Sequence, residues 1–319
     1  PGSYLKDRAQ IEASTAKDVR DAAREWLSRP NYQLTVVPRP DRQAGADGAD
    51  RTQLPPLQGY PQLALPTVRE GMLSNGIRVL FAERPGTATV DMAMSFDAGS
   101  SADLGRKDGI EGFTNALLGE GTQSLTGNEL ADREERLGAR IYTTGDVDTT
   151  TVVASALARN LPETIELWAD MIRHPAFREE DVARAKSQAL SRIAQSKTDV
   201  NSLASEAFGS VIYGEDHAYA RQLGNRRAVI ESYGPADFEE FLRAFIRPDN
   251  ATIYAAGATD YARLMAELED AFGSWQAPDV PLGTKSVTPL APQAGPRVIL
   301  IDKPGAIQSA LRVGRIVPD

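Results

Sequence analysis

The side chains best suited to bind a metal are scarce in this sequence. Its 319 residues include no cysteine and only two histidines, His174 and His217. Because common zinc sites use several cysteine or histidine ligands, a site here would depend on carboxylates. His174 precedes Pro175 at the end of a predicted helix, where a cationic side chain suits the helix dipole, and His217 lies in the distant loop GEDHAYA. We therefore expect neither histidine to bind a metal.

Motifs for nucleophilic catalysis and for phosphate binding are equally weak. Serines are numerous, but a Ser-His-acid triad needs a histidine, and the chain has only two. The short glycine loops at 99–101 (GSS) and 119–121 (GEG) have neither the P-loop nor the dinucleotide-binding spacing. The sequence gives no support to a serine hydrolase or a nucleotide-binding protein.

One segment, GIEGFTNALLGEGT at 109–122, predicts a helix that begins near Gly109. Its two carboxylates, Glu111 and Glu120, are the candidates for a general base. Most carboxylates of globular proteins lie in solvent, so we expect both on an exposed surface. The charged run at 132–136 (DREER) likewise predicts an exposed helix side with i,i+3 and i,i+4 pairs.

Composition excludes two classes of partner. The chain is 41% hydrophobic and 25% charged, as in globular proteins, and its formal net charge is −9. A sequence-independent nucleic-acid binder needs a basic surface, so we expect no nucleic-acid partner. No stretch of 18 apolar residues is present, so we expect no membrane span. The absence of cysteine fits any compartment.

Periodicity and turn signals predict the elements of a central region. Asn75-Gly76 lies between two alternating runs in 69–83, which is a strong hairpin signal. Thr126 and Glu129 have the spacing of a capping box. The remaining predictions are strands at 87–99, 139–147, 149–157 and 251–257, and helices from 109 and at 126–138, 161–172, 179–195, 202–211, 235–246 and 261–275.

Both ends of the chain differ from this central region. A helix is predicted at 10–27, with Thr15 as its cap and Asp18 as the reciprocal partner, followed by a strand at 32–37. Linkers rich in Pro, Gly and polar residues are predicted at 38–66 and 278–296. Strands are predicted at 297–302 and 307–316, and they would need a partner for their free edges.

An internal match links the first helix to a later one. DVRDAAREWLSRPN at 18–31 is similar to DFEEFLRAFIRPDN at 237–250, and a predicted strand follows each. One interpretation is a domain repeat, in which 1–37 is the last piece of a preceding domain. The other is two unrelated amphipathic helices with similar ends.

The order of the elements, the pattern G-x-x-G-F…L-x-x-G-T and the segment 213–258 together resemble the pitrilysin/insulinase family of zinc metallopeptidases. That family includes the mitochondrial processing peptidase subunits. The most specific part is His-x-Tyr, then Leu-Gly, then an Asp-led helix that ends in Arg-Pro-Asp-Asn before a strand. The resemblance covers 67–276, and more weakly 4–37 and 297–316. It implies an α+β fold with a mostly antiparallel sheet and helices on one face.

The resemblance also implies where zinc should bind, and those positions are vacant. The family motif His-x-x-Glu-His falls on Gly112-Phe113-Thr114-Asn115-Ala116, which supplies no histidine and no general base. The further glutamate ligand should fall near Ala185, and no carboxylate lies between Asp181 and Asp199. We therefore expect no catalytic, metal-binding or cofactor-binding residue on this chain.

The family's domains form two halves that close around a peptide chamber. By resemblance, 67–277 is a non-catalytic peptidase-like domain and 297–319 begins a following one. The implied function is a peptide-binding wall of the chamber, with zinc on another half or a partner subunit. The strand at 87–98 is expected to offer its edge to a peptide.

Two other functions stay open, namely an enzyme active in its own right and an interaction or assembly protein of the same fold. The unpaired C-terminal strands make a homo-oligomer or a domain swap plausible. The usual location of family members suggests that this protein lies in the bacterial periplasm or cell envelope.

Overall fold

The computed structural model describes residues 10–11, 13–29, 66–214, 217–220, 227–285, 287, 295 and 297–316. The chain forms two compact units, residues 1–63 and 64–319. In the first unit, helix α1 spans Ala16–Leu27 and is capped by the predicted reciprocal pair of Thr15 and Asp18. The helix begins later than predicted, because Ser14 and Thr15 separate it from the helical residues at 10–13 that the structure describes. The predicted strand at 32–37 and nearly all of the linker at 38–66 lie outside the described residues.

The second unit contains one sheet and a set of helices. Its strands are β1 (Val68–Met72), β2 (Arg78–Glu83), β3 (Thr89–Phe96), β4 (Arg140–Gly145), β5 (Thr150–Leu157) and β6 (Ala251–Gly257). Its helices are α2 (Ile110–Leu118), α3 (Gly127–Leu137), α4 (Leu161–Arg173), α5 (Glu179–Ser196), α6 (Val200–Tyr213), α7 (Arg227–Glu231), α8 (Pro235–Phe245) and α9 (Tyr261–Phe272). Short 3-10 turns lie at Ser100–Asp103, Ala158–Asn160 and Pro248–Asn250.

The six strands lie in the order β1-β2-β6-β3-β5-β4. Only the pairing of β2 with β6 is parallel, and the other four pairings are antiparallel. The predicted α+β fold with a mostly antiparallel sheet is therefore confirmed. The two edges of this sheet belong to β1 and β4.

The sheet buries one face and leaves the other open. Along β3, Val90, Met92, Met94 and Phe96 are buried, whereas the residues between them are exposed or half-buried. On the buried side the rings of Trp168 and Phe272 meet edge to face at 5.3 Å. Alternation with a period of two is the pattern of a sheet that packs on helices on one side only.

Two local signals in the sequence are confirmed in the structure. Gly76 takes a positive φ of 94° in the turn between β1 and β2, a conformation that glycine adopts at little cost. The side chain of Asn75 donates to the carbonyls of Phe272 and Trp275, and so ties this hairpin to the end of α9. At α3, Thr126 and Glu129 form the predicted capping box.

The predicted strands at 297–302 and 307–316 are wrong for the described residues, because residues 297–316 contain no strand. A strand needs backbone hydrogen bonds to a neighbouring strand, whereas this segment contacts the rest of the chain through side-chain hydrogen bonds. The Arg297 guanidinium donates to the carbonyl of Val211 in α6 at 2.5 Å. Val298 and Leu300 are 93% and 90% exposed. The proposed boundaries at 277, 296 and 319 stay predictions.

None of the helices in the described part of the chain is long and apolar enough to cross a membrane.

Candidate functional site

Helix α2 carries the positions that the resemblance assigns to the zinc motif, and its N-terminus is capped from outside the helix. Gly109 precedes it in the left-handed region, at φ 82°. The Asp103 carboxylate accepts hydrogen bonds from the amides of Gly109, at 2.7 Å, and of Glu111, at 3.0 Å. These two amides belong to the first turn, where backbone donors have no partner within the helix. The start of α2 is therefore fixed by a carboxylate from the preceding 3-10 turn.

The three motif positions on α2 have different environments. Gly112 is half-buried and Ala116 is exposed, and neither carries a ligand atom. Asn115 is buried, and its side-chain oxygen has no hydrogen-bond partner among the residues that the structure describes. Its backbone carbonyl accepts a hydrogen bond from the Thr143 hydroxyl of β4 at 2.9 Å. The helix is thus joined to the edge strand β4 through its backbone.

Glu111 corrects an expectation, because it is buried and not exposed. Only 5% of the residue is accessible, and the carboxyl lies against β5 and the loop that precedes it. Burial raises its pKa to about 7, and the nearby charges of Asp103 and Asp146 raise it further, against a hydrogen bond from Thr150 that lowers it. The sequence held no signal for this burial beyond the apolar neighbours Ile110 and Phe113.

A single hydroxyl connects Glu111 to the sheet. The Thr150 oxygen lies 2.6 Å from Glu111 Oε1 and 2.9 Å from the carbonyl oxygen of Ala98. A hydroxyl has one hydrogen, so it cannot donate to both oxygens at once. When Glu111 is protonated, both hydrogen bonds can form at once, because Glu111 donates to the Thr150 hydroxyl and this hydroxyl donates to the Ala98 carbonyl. When Glu111 is ionised, its carboxylate accepts the hydrogen bond that the Thr150 hydroxyl donates, and the Ala98 carbonyl loses that hydrogen bond.

Gly145 makes room for this polar pair beside β4. A Cβ at this position would lie 2.5 Å from Glu111 Oε1 and 3.0 Å from the Asn115 amide nitrogen. Any side chain here would displace one of the two groups.

Helix α5 faces α2 but brings no carboxylate to the predicted ligand position. Ala185 is partly buried and packs against the core. The neighbouring residue Arg184 forms ion pairs with two carboxylates, Glu120 at 2.5 Å and Asp181 at 2.6 Å. Glu120 is partly exposed, so its environment agrees better with the expectation than that of Glu111 does. Within the described ranges, no three His, Cys, Asp or Glu side chains are grouped so that they could hold a metal ion.

The two histidines lie on separate segments of the chain, outside α2. His174 is the C-cap of α4, and its Nδ1 lies 3.1 Å from the Asp170 carboxylate. His217 is buried and stacks on Tyr213 with ring centroids 5.5 Å apart.

The strand predicted to offer a free edge is in the interior of the sheet. β3 pairs with β5 on one side and with β6 on the other, so the expected edge at 87–98 is wrong. Strand order in a sheet depends on distant pairings, which periodicity does not report. The edge nearest to α2 belongs to β4, which pairs with β5 on one side.

Comparison with known proteins gives the family. Residues 78–224 match the family model described as Insulinase (Peptidase family M16), and residues 233–319 match the one described as Peptidase M16 inactive domain. The chain belongs to the M16 peptidase family. The predicted pitrilysin/insulinase membership is thus confirmed.

Individual M16 relatives are distant in sequence. An uncharacterized zinc protease of Rickettsia felis is 24% identical over 202 residues, which is 63% of this chain and 49% of that protein. Mitochondrial-processing peptidase subunit beta of Mus musculus is 25% identical over 228 residues, covering 71% of this chain and 46% of that one. This chain therefore spans about half the length of the curated relatives that it matches.

A crystal structure of a peptidase M16 inactive domain from Pseudomonas fluorescens has the same fold. Its TM-score is 0.63 at 23% identity, over 72% of this chain and 54% of that one. Zinc is expected in the M16 family, but the residues at the motif positions of this chain do not fit the ion. Gly112 and Ala116 offer no ligand atom, and Asn115 cannot serve as a base.

Proposed function

We propose that the 67–277 region is a non-catalytic, peptide-binding part of an M16 peptidase, with zinc and the catalytic glutamate on another half or a partner subunit. One observation carries the proposal. Helix α2 keeps the position and packing of a structural core helix, while its motif positions and the facing position on α5 hold no metal ligand and no base.

The packing of α2 explains why this helix would be retained in a domain that has no catalytic site. Phe113 points into the core, with its ring centroid 4.7 Å from that of Tyr233 and 6.4 Å from that of Phe238 in α8. Both phenylalanines are buried. The helix is therefore needed to fill the core, whether or not it carries zinc.

Peptide binding is supported by the outer edge of β4, which pairs with no further strand among the described residues. Alternate residues of an antiparallel edge strand direct their amides away from the neighbouring strand. The Ile141 amide donates to the Glu134 side chain at 3.0 Å, so it faces away from β5. By the same alternation the amides of Thr143 and Gly145 face outward, next to α2. An extended peptide that adds a strand here would be held by these two donors.

The proposed partners follow from family membership. The relative from Mus musculus is named as a subunit, and this chain spans about half of it. We infer that a second half or subunit supplies zinc and closes the chamber over the peptide.

A matched pair of variants tests peptide binding at β4. Thr143→Pro removes the outward amide, whereas Thr143→Val keeps it, and both lose the hydroxyl bond to Asn115. Labelled unstructured peptides are titrated with each protein in fluorescence anisotropy, and mass spectrometry follows cleavage. We expect binding without cleavage, lost in Thr143→Pro and kept in Thr143→Val.

Chelator-sensitive cleavage by the chain alone would overturn the proposal in favour of an enzyme active in its own right. Failure of every peptide to bind would favour the interaction or assembly protein.

A further inference from the structure

The loop that joins β4 to β5 lies directly beside the strand edge assigned to peptide binding. It comprises residues 146–149 and follows Gly145, the last residue of β4. The Asp146 carboxylate accepts hydrogen bonds from the amides of Asp148 and Thr149, each at 2.7 Å. These bonds shape the turn itself. Its position in the domain depends on contacts with three other segments of the chain.

The first contact is made by the backbone of the 3-10 turn that precedes α2. The amides of Ser100 and Ser101 donate to the carbonyls of Asp146, at 3.0 Å, and of Val147, at 2.9 Å. Gly99 permits this close approach, since a Cβ there would lie 2.4 Å from the backbone of Val147. This side of the loop is therefore held without any side chain.

The second contact comes from the His-x-Tyr motif at 217–219. The Tyr219 hydroxyl donates to the Asp148 carboxylate at 3.1 Å, across 71 residues of sequence. His217 sets the direction of Tyr219, because its Nδ1 accepts the Tyr219 amide at 3.1 Å and the two rings meet edge to face at 5.3 Å. Since His217 is buried, Tyr219 extends to the loop from a fixed support.

The third contact comes from the segment that follows α9. Lys285 Nζ donates to the carbonyl of Asp148 at 2.7 Å and forms an ion pair with Asp97, which lies just after β3. Only 16% of the Lys285 side chain is accessible, so it is packed against the domain and not free in solvent. Asp148 is thus held twice, through its carboxylate by Tyr219 and through its carbonyl by Lys285.

The segment that carries Lys285 is itself fixed to the domain, although the sequence predicts a linker from 278. The Gly283 amide donates to the carbonyl of Ala244 in α8 at 2.9 Å. The buried Arg247 guanidinium donates to the carbonyl of Val280 at 2.8 Å. Lys285 therefore reaches the loop from an anchored backbone.

We propose that Tyr219 and Lys285 are positioning residues of the peptide site: they fix the 146–149 loop through Asp148 and thereby hold the adjoining edge of β4 in the form that pairs with a peptide. The inference rests on the proposed peptide-binding function and deepens it, because it names residues outside β4 that shape the site. Among the described strands β4 pairs with β5 alone, and its last residue, Gly145, has no side chain to anchor it. A peptide binds more tightly to an edge that is already ordered in the free protein.

The test uses a peptide of alternating valine and threonine, with blocked termini and a neutral dye. The peptide carries no charge, so loss of the Lys285 ammonium acts on affinity through the protein alone. Anisotropy titrations compare wild type with Tyr219→Phe, which removes only the hydroxyl, and with Lys285→Met, which keeps the aliphatic stem. Lys285→Arg keeps the charge and the donors. Tyr254→Phe is the matched control, because Tyr254 is exposed on β6, which two strands separate from β4.

Wild type is expected to bind the peptide, and Thr143→Pro to lose it, because pairing with β4 needs the outward amide. Tyr219→Phe and Lys285→Met should each weaken binding roughly threefold to tenfold, the size of one net hydrogen bond. Lys285→Arg should recover most of the affinity, and Tyr254→Phe should match wild type. In the two weakened variants, hydrogen exchange at 146–149 should be faster while the urea midpoint stays that of wild type, since only the loop is loosened.

Wild-type affinity in both Tyr219→Phe and Lys285→Met would overturn the inference and leave the proposed function intact. So would weaker binding that comes with lower urea midpoints and no recovery in Lys285→Arg, because that pattern reports general destabilisation. If wild type does not bind the peptide, or if Thr143→Pro binds it equally well, the proposed site at β4 is itself wrong and the inference fails with it.

Discussion

The hydroxyl of Thr150 lies 2.6 Å from the carboxyl of Glu111 and joins the motif helix to the centre of the sheet. Both residues are buried, at 1% and 5% exposure. The contact places an ionisable group inside the domain, next to positions where relatives are expected to carry their metal site. Glu111 therefore couples the packing of α2 to pH, although nothing in the described structure makes it a catalyst.

The stability of the domain should depend on the protonation of Glu111. Its pKa is raised from 4.5 to about 7, chiefly by burial, so the folded protein holds this proton more tightly than the unfolded chain. The free energy of unfolding therefore falls as pH rises between these two values and levels off above them. Relative to wild type, Glu111→Gln should gain roughly 3 kcal/mol at about pH 8 and little at about pH 4.

Urea unfolding at a series of pH values measures this difference. Glu239→Gln is the control for replacing a glutamate by a glutamine, because Glu239 is exposed on α8. A difference for Glu111→Gln that stays constant with pH would contradict this prediction, because it would mean that folding leaves the pKa of Glu111 unchanged.

The motif helix should be essential to the core. Phe113→Ala should lower the free energy of unfolding by about 3–5 kcal/mol, because it empties the space between Tyr233 and Phe238. Ala116→Ser, one turn on at an exposed motif position, should stay within about 0.5 kcal/mol of wild type. Denaturant unfolding of the two variants checks this. Similar small losses in both would show that α2 is peripheral.

Zinc binding should be recoverable at the vacant positions. Gly112→His with Ala116→His places two imidazoles at i and i+4 on one side of α2. Adding Ala185→Glu from α5 should tighten zinc binding about tenfold or more, since protein zinc sites need at least three ligands. Competition with a fluorescent chelator measures the affinity.

Ala183→Glu in the same two-histidine background is the control, since Ala183 is exposed on another side of α5. An equal gain from Ala183→Glu and Ala185→Glu would contradict the assignment of the distal ligand position to Ala185.

Local features of this fold were predictable from the sequence, and the pairings of distant segments were not. The Asn75-Gly76 turn and the Thr126–Glu129 cap depend on residues close in sequence, so their patterns sufficed. The interior position of β3 depends on β6, which follows it by more than a hundred residues. The strands predicted at 297–316 had a suitable alternating pattern but no partner strand among the described residues.

The candidate site was also predictable only in part. The positions of Gly112, Asn115 and Ala116 on one helix followed from the resemblance and from helical periodicity. The burial of Glu111 did not, because it depends on Thr150 and on the absence of a side chain at Gly145, both distant in sequence. The register of β6 with β2 and β3 was not predictable either, because it joins residues from separate parts of the chain.

The most direct test of the central claim is the zinc content of this chain, measured by elemental analysis after dialysis against a metal-buffered solution. The proposed non-catalytic role predicts less than about a tenth of an equivalent per chain, because the motif positions on α2 and α5 supply no ligand. One full equivalent, held tightly through dialysis, would contradict it and would mean that this chain carries a metal site of its own.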